Sequence, residues 1–313
     1  MDYPNDKFHN ADIPATRHNP RAEEFECGHF ENREKVKLFY RGWKLSKATI
    51  PANPVILLHI HGMVSHSEPY IAMADGIVSE RLIVYGLDLY GHGYSEGIRG
   101  DYSNFNVFLQ NIADMLEFLQ KKYPNATFYL GGESMGGVAS TLYMVTYHLQ
   151  TPVVPIQRCL FWAPAYEPNT SGFSFKEIIQ GIKMVFNLLF RPTKLTVNVI
   201  HEKTFRDPPS LHLDETDPAN LTKYSLRYLW NIKLGIDLLK SVRFSQIFPC
   251  PFCIVLGAGD QVVSRKAIEK FWNNSPQKKH SEYILVPAAW HCIYKDPDFT
   301  SEHWIKVNRF LMN

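Results

Sequence analysis

Chemistry is most legible in Gly131-Gly132-Glu133-Ser134-Met135-Gly136-Gly137, which follows the apolar run Thr127–Leu130 and precedes a helical-looking segment, Val138–His148. Strand, sharp turn and helix are the context in which a serine between two glycines becomes a nucleophile. Side chains at 132 and 136 would strike the neighbouring strand and helix, and glycine removes them. The Ser134 hydroxyl can then stand exposed above a sheet. The N–H of Met135 opens the helix, where unsatisfied donors and the helix dipole favour a developing oxyanion. The competing reading is a glycine-rich turn that merely reverses the chain; the strand before it and the helix after it argue for the nucleophile.

A serine hydroxyl needs a base, and the base needs a carboxylate to orient it. The apolar run Phe252–Leu256 ends in Gly257-Ala258-Gly259-Asp260, and a last run ends in Val286-Pro287-Ala288-Ala289-Trp290-His291. Loops beyond strand carboxyl ends are where parallel sheets carry functional groups. Asp260 alone could start a turn, and His291 is one of 13 histidines. Serine, acid and histidine in that order, each at a strand end, form a triad of Ser134, Asp260 and His291. Upstream, His61-Gly62-Met63 follows the run Val55–Ile60, and the N–H of Met63 is assigned as the second oxyanion donor opposite Met135. A metal reading competes through His59, His61, His66, Asp88 and His92. Against it, His59 and His61 alternate along a strand beside glycine, and zinc would leave the serine turn unexplained. Neither a metal nor an organic cofactor is expected.

The elements that must position these groups alternate. Strands are predicted at Glu26–Phe30, Lys35–Lys44, 55–60, 82–87, 127–130, Arg158–Trp162, 252–256 and Glu282–Val286. Helices are predicted over Glu68–Glu80, 104–122, 264–273 and from about 301. Between about 166 and 246 the rhythm changes to two long amphipathic stretches, 173–190 and 222–242, around a proline-rich segment. The reading is an α/β fold: a mostly parallel sheet flanked by helices, in two parts, 1–165 (opening with an irregular arm) and 247–313, interrupted by a helical cap, 166–246.

Composition narrows the function. Thirty-three basic residues against 31 acidic ones give a formal charge of +2 with no basic tract, which argues against nucleic acid as a partner. The first residues lack the charged and apolar regions of a secretory signal, and no long apolar run suits a membrane span. Five cysteines fit a reducing, cytoplasmic compartment, and Cys250-Pro251-Phe252-Cys253 reads as buried, inert thiols, since it enters a strand where no helix dipole would stabilise a thiolate.

Three segments carry a family resemblance. His61-Gly62-Met63-Val64-Ser65-His66-Ser67-Glu68-Pro69-Tyr70 resembles the HGxxxHSxxY signature of the monoacylglycerol lipase and lysophospholipase branch of the α/β-hydrolases. The segment from Asp88 through Gly91-His92-Gly93 and Ser95-Glu96-Gly97 to Arg99-Gly100 is similar to that branch's GHG-containing loop. Gly132–Gly137 resembles its elbow, with Glu133 in place of the usual histidine. The resemblance covers about residues 26–165 and 247–310, and only loosely the insert, through Asp217-Pro218 and the helix after it. It implies the α/β-hydrolase fold, an ester hydrolase acting on monoacyl lipids without cofactor, and a bracing role for Asp88, His92, Ser95 and Arg99. Acyl transfer by the same triad and a non-catalytic binding protein are the other classes compatible with such a fold. No obligate protein partner is expected. In the insert, residues 173–190 place Phe175, Ile178, Ile179, Ile182, Val185, Phe186 and Leu189 on one helical stripe, around a mid-helix Gly181. The expectation is a lid that touches lipid surfaces and admits the acyl chain.

Overall fold

The computed structural model describes residues 21–147, 154–169, 195–196, 203–241 and 243–312. Eight strands form one sheet, in the order β1 (Ala22–Glu31), β2 (Lys37–Leu45), β4 (Leu82–Leu87), β3 (Val55–Ile60), β5 (Thr127–Glu133), β6 (Ile156–Trp162), β9 (Phe252–Gly257) and β10 (Glu282–Val286). The central strands are those whose sequence is continuously apolar. Every residue of β3 (Val55–Ile60), β4 (Leu82–Leu87) and β9 (Phe252–Gly257) is buried, as a strand covered on both faces requires. With β5 (Thr127–Glu133), β6 (Ile156–Trp162) and β10 (Glu282–Val286) they run parallel. At one edge β1 (Ala22–Glu31) and β2 (Lys37–Leu45) pair antiparallel, and β2 pairs antiparallel with β4. The sheet is the mostly parallel one expected.

Helix α1 (Ile71–Ile77) follows a 3-10 turn, Glu68–Tyr70, and stops short of the expected Glu80. The chain must re-enter the sheet at Leu82, so Val78 turns extended and donates its N–H back to Ala74, while Ser79 Oγ accepts from Leu82 N. Helix α2 (Asn106–Lys122) buries Phe108, Leu109, Ile112, Met115, Leu116 and Leu119, the face its spacing marked. Helix α3 (Met135–Leu142) begins three residues earlier than the periodicity suggested and runs on as a π turn, Tyr143–Tyr147. Apolar spacing cannot see its first turn, which is built of glycines pressed against β3.

Between β6 and β9 the described residues hold a two-residue pair, β7 (Leu195–Thr196) and β8 (Lys223–Tyr224), with α4 (Pro208–Thr216), α5 (Leu226–Ser241) and α6 (Phe244–Ile247). None of them joins the large sheet. Asp207 caps α4 by accepting from Ser210 N at 2.9 Å, with Pro208 at the first helical position. The stretch 173–190 lies outside the described residues. Helix α5 seats Tyr228 against Tyr102 and Phe108, and leaves Trp230, Leu234 and Leu238 exposed on another face. Helices α7 (Arg265–Asn274, capped by Ser264) and α8 (Ser301–Met312) flank the last strands. No helix among the described residues is long and apolar enough to cross a membrane.

One contact sets the tolerance of the centre. A Cβ on Gly136 would lie 2.0 Å from the carbonyl oxygen of Ile60, whereas one on Gly62 would meet nothing closer than Ser134 Cβ at 3.6 Å. Gly136→Ala should therefore destabilise the protein by about 3 kcal/mol or more, and Gly62→Ala by less than about 1 kcal/mol. Denaturant unfolding of the two variants checks this; equal losses would contradict it.

Candidate active site

Ser134 stands between β5 and α3 with φ 52° and ψ −116°, a backbone conformation that non-glycine residues rarely hold. Neighbours impose it. Its N–H donates to Trp162 O on β6 at 3.0 Å, and its carbonyl accepts from Ala165 N at 3.0 Å. Gly132 and Gly136 approach so closely that a Cβ on Gly132 would come within 2.4 Å of the Gly136 backbone. The turn is thus clamped between adjacent strands, with its side chain free of the clamp.

His291, in the loop after β10, lines one cavity of about 120 Å³ with Ser134, Gly62, Met63 and Glu133. Asp260, in the loop after β9, lies behind it, with Oδ2 2.7 Å from His291 Nδ1. The other carboxylate oxygen accepts from Val262 N at 2.7 Å and Val263 N at 3.0 Å, so the carboxylate is held on both sides. With Nδ1 donating to Asp260, Nε2 is left to accept a proton. Burial pushes the His291 imidazole down, but the Asp260 charge and hydrogen bond, with the Glu133 charge added, outweigh it and raise the pKa above the ordinary histidine value. The structure brings Ser134, His291 and Asp260 together as the chain order suggested.

The Gly62–Met63 peptide is aimed from behind. His61 Nε2 accepts from Leu89 N at 3.0 Å, so Nδ1 carries the proton and donates to Gly62 O at 2.7 Å. A trans peptide sets that carbonyl opposite the N–H of Met63, which therefore points away from the imidazole. Burial holds His61 neutral, its pKa lowered to about 4. Among the described residues, neither Met63 N–H nor Met135 N–H donates to a protein acceptor. Met135 is the first residue of α3, where such a donor is unpaired by construction.

His92 and His66 are committed as well. His92 Nδ1 donates to Tyr90 O, so Nε2 accepts from Tyr228 of α5 at 2.9 Å. A phenol has one proton, so the longer approaches of Tyr228 to Met63 O and Met135 Sδ are contacts rather than further donated bonds. His66 Nε2 meets Asp217 of the insert at 2.8 Å. Asp88 accepts from Ser67 N at 2.6 Å and Tyr94 N at 2.8 Å, and Arg99 donates to Gly93 O and Ala219 O. His59 is buried with both ring nitrogens unpartnered, its pKa pushed by burial to about 3. The described residues contain no cluster of three metal-ligating side chains.

Tyr70 closes the HGxxxHSxxY segment but is given no role from sequence, and Tyr294 and Tyr228 are not singled out by it; the hydroxyls of all three bind loop to loop. Their signal was faint, since tyrosines in apolar surroundings look like core. Cys250 and Cys253 are buried, as the sequence reading has them. Cys27 is exposed, because its strand, β1, is the sheet edge. The near thiol pair is Cys159 of β6 with Cys250, just before β9, at 3.7 Å, rather than Cys250 with Cys253.

Fold and elbow together place the protein among the α/β-hydrolases. The chain belongs to the family described as serine aminopeptidase, S33, whose model matches residues 52–298. It is 25% identical to the monoglyceride lipase of Mus musculus over 292 residues, 90% of this chain and 89% of that one. With the monoglyceride lipase of Homo sapiens the identity is 26% over 289 residues, again 90% and 89% of the two chains. A soluble variant of monoglyceride lipase from Saccharomyces cerevisiae, solved with a substrate analogue, superposes with a TM-score of 0.78 at 18% identity, over 94% of this chain and 97% of that one.

The His66–Asp217 pair ties the loop that carries Met63 to the residues between β6 and β9 and titrates at both ends. For His66, burial lowers the pKa but the Asp217 hydrogen bond, with charges on Asp88, Asp217 and Glu68, raises it overall. For Asp217, burial raises the pKa but His66 lowers it overall. The raised histidine contributes stability that is full below its unfolded pKa of about 6.5 and is lost as pH rises through the folded value. The lowered aspartate contributes stability that is present above about 3.9 and is lost as pH falls. Asp217→Asn should therefore cost about 1.5–3 kcal/mol between pH 4.5 and 6.5, and less at alkaline pH. Unfolding measured at several pH values checks this; a cost independent of pH would contradict it.

Proposed function

We propose that the protein is a serine hydrolase of carboxylic esters that acts on monoacyl lipids, monoacylglycerols or lysophospholipids, through Ser134, His291 and Asp260. One observation carries the reading. A serine in a strained elbow lines the same cavity as a buried histidine whose Nδ1 is pinned by a carboxylate. The names of the mouse and human relatives support the substrate class.

In this reading Ser134 Oγ attacks the ester carbonyl and His291 Nε2 takes its proton. Asp260 keeps the imidazole in the tautomer that can accept it and stabilises the imidazolium that forms. The N–H groups of Met63 and Met135 receive the oxyanion; such a donor is worth about 3–4 kcal/mol in comparable sites. The proton then passes to the leaving alcohol, and water, activated by the same histidine, releases the acid. Residues 166–246 serve as a cap over the site.

The cap also supplies a lipid contact. Trp230, Leu234 and Leu238 follow one another at four-residue spacing along α5 and are 52%, 45% and 43% exposed, a stripe suited to the interfacial region of a bilayer or micelle.

Ser134→Ala and Asp260→Asn should each lower hydrolysis of monoacylglycerols by about a thousandfold or more while leaving the thermal unfolding transition in place. A panel of monoacylglycerols, lysophospholipids and short-chain nitrophenyl esters checks both the activity and the substrate class. Hydrolysis undiminished in Ser134→Ala would contradict the reading.

Replacing Trp230 and Leu234 with serine should slow hydrolysis of long-chain monoacylglycerol in vesicles by about tenfold and change that of a soluble ester less than about twofold. Equal effects on both substrates would remove the lipid-contact part of the proposal.

A further inference from the structure

Glu133 ends β5, directly before Ser134, and its carboxylate lies where three loops meet. It is 7% exposed and lines the cavity. Its Oε2 accepts from the Tyr70 hydroxyl at 2.6 Å and from the Tyr294 hydroxyl at 3.3 Å. The Tyr70 oxygen in turn accepts from Gly62 N at 3.0 Å. Donor counting gives this chain a direction. A backbone N–H can only donate, so the tyrosine oxygen accepts there and its single proton goes to Glu133. Tyr70 braces the loop that carries Met63, and Tyr294 follows His291 in the turn after β10. A neutral imidazole, the group usual at this place in the resembled motif, has one acceptor nitrogen and no charge. A carboxylate offers several lone pairs and a full negative charge.

We propose that Glu133 is a positioning residue for hydrolysis: a buried carboxylate that aims the Gly62–Met63 peptide through Tyr70 and sets a second negative charge facing His291 beside that of Asp260. The inference rests on the reading of Ser134, His291 and Asp260 as the triad. The groups whose charge reaches His291 are Asp260 and Glu133. Those that face Glu133 are His291, Lys295, Tyr70, Tyr294 and the Cys292 thiol; Asp214 of α4 lines the same cavity. Burial pushes the Glu133 carboxyl above its ordinary range, opposed first by His291 and the Tyr70 hydrogen bond, then by Lys295 and Tyr294. When His291 takes the serine proton, the imidazolium faces two carboxylates. Losing the Glu133 charge makes His291 easier to deprotonate and leaves it a weaker base.

The test compares Glu133→Gln, which keeps an oxygen for both phenols and removes the charge, with Tyr70→Phe, which keeps the ring and removes the hydroxyl. Glu133→Asp keeps the charge at shorter reach. For each, kcat and KM on a soluble short-chain ester are measured against pH, with thermal unfolding to show the fold and Ser134→Ala as background. Glu133→Gln should move the acid limb of kcat/KM to lower pH by about half a unit, and Glu133→Asp should leave that limb near the wild type. Tyr70→Phe should lower kcat about tenfold with little change in KM. If Glu133→Gln does not fold, the Glu133→Asp and Tyr70→Phe pair decides. An acid limb that stays in place or rises in Glu133→Gln, or an unchanged kcat in Tyr70→Phe, overturns the inference. Activity that survives Ser134→Ala would overturn the triad itself, a separate result.

Discussion

The strained backbone of Ser134 is the constraint on which the rest of the site depends. Holding a non-glycine residue at positive φ costs about 1–3 kcal/mol, so the conformation survives only where its surroundings leave no alternative. Here they are β3, β5 and β6 at the middle of the sheet. Gly136 presses on the Ile60 carbonyl, and the Ser134 backbone bonds to Trp162 on one side and Ala165 on the other. The same pressure sets where α3 begins, and with it the direction of the Met135 N–H.

Around the elbow, loops are joined to one another by buried polar groups. His61 holds the Gly62 carbonyl, Asp88 ties Ser67 to Tyr94, His92 meets Tyr228 of α5, and His66 meets Asp217. Each of these bonds costs little to keep, because its partner is buried with it. Removing one partner would leave the other desolvated and unpaired, at about 1–3 kcal/mol. The residues between β6 and β9 are therefore joined to the loop that carries Met63 through Asp217, which meets His66, and through Leu221 N, which donates to Val64 O at 2.8 Å.

Much of this was legible in the residues. Continuous apolar runs marked the buried parallel strands, because covering both faces of a strand removes any alternation. The order of Ser134, Asp260 and His291 at strand ends anticipated their meeting in space. Other features carried no pattern. The start of α3 at Met135 came from the elbow and not from apolar spacing, because Gly136 and Gly137 carry no periodicity. The end of α1 was set by the need to reach Leu82, a demand of the sheet rather than of helix propensity. The link from Glu133 through Tyr70 to Gly62 spans 71 positions from Gly62 to Glu133 and exists only because β3 and β5 are neighbours. Motif comparison showed Glu133 as a departure, but only the fold shows what the carboxylate touches.

The central claim is that Ser134 is a nucleophile made reactive by His291. Its most direct test is covalent labelling with a fluorophosphonate, followed by mapping of the modified residue by mass spectrometry, in the wild type and in His291→Ala. A single adduct on Ser134 should form readily in the wild type and about a thousandfold or more slower in the variant. An unlabelled Ser134 in folded protein, or labelling equally fast without His291, would contradict it.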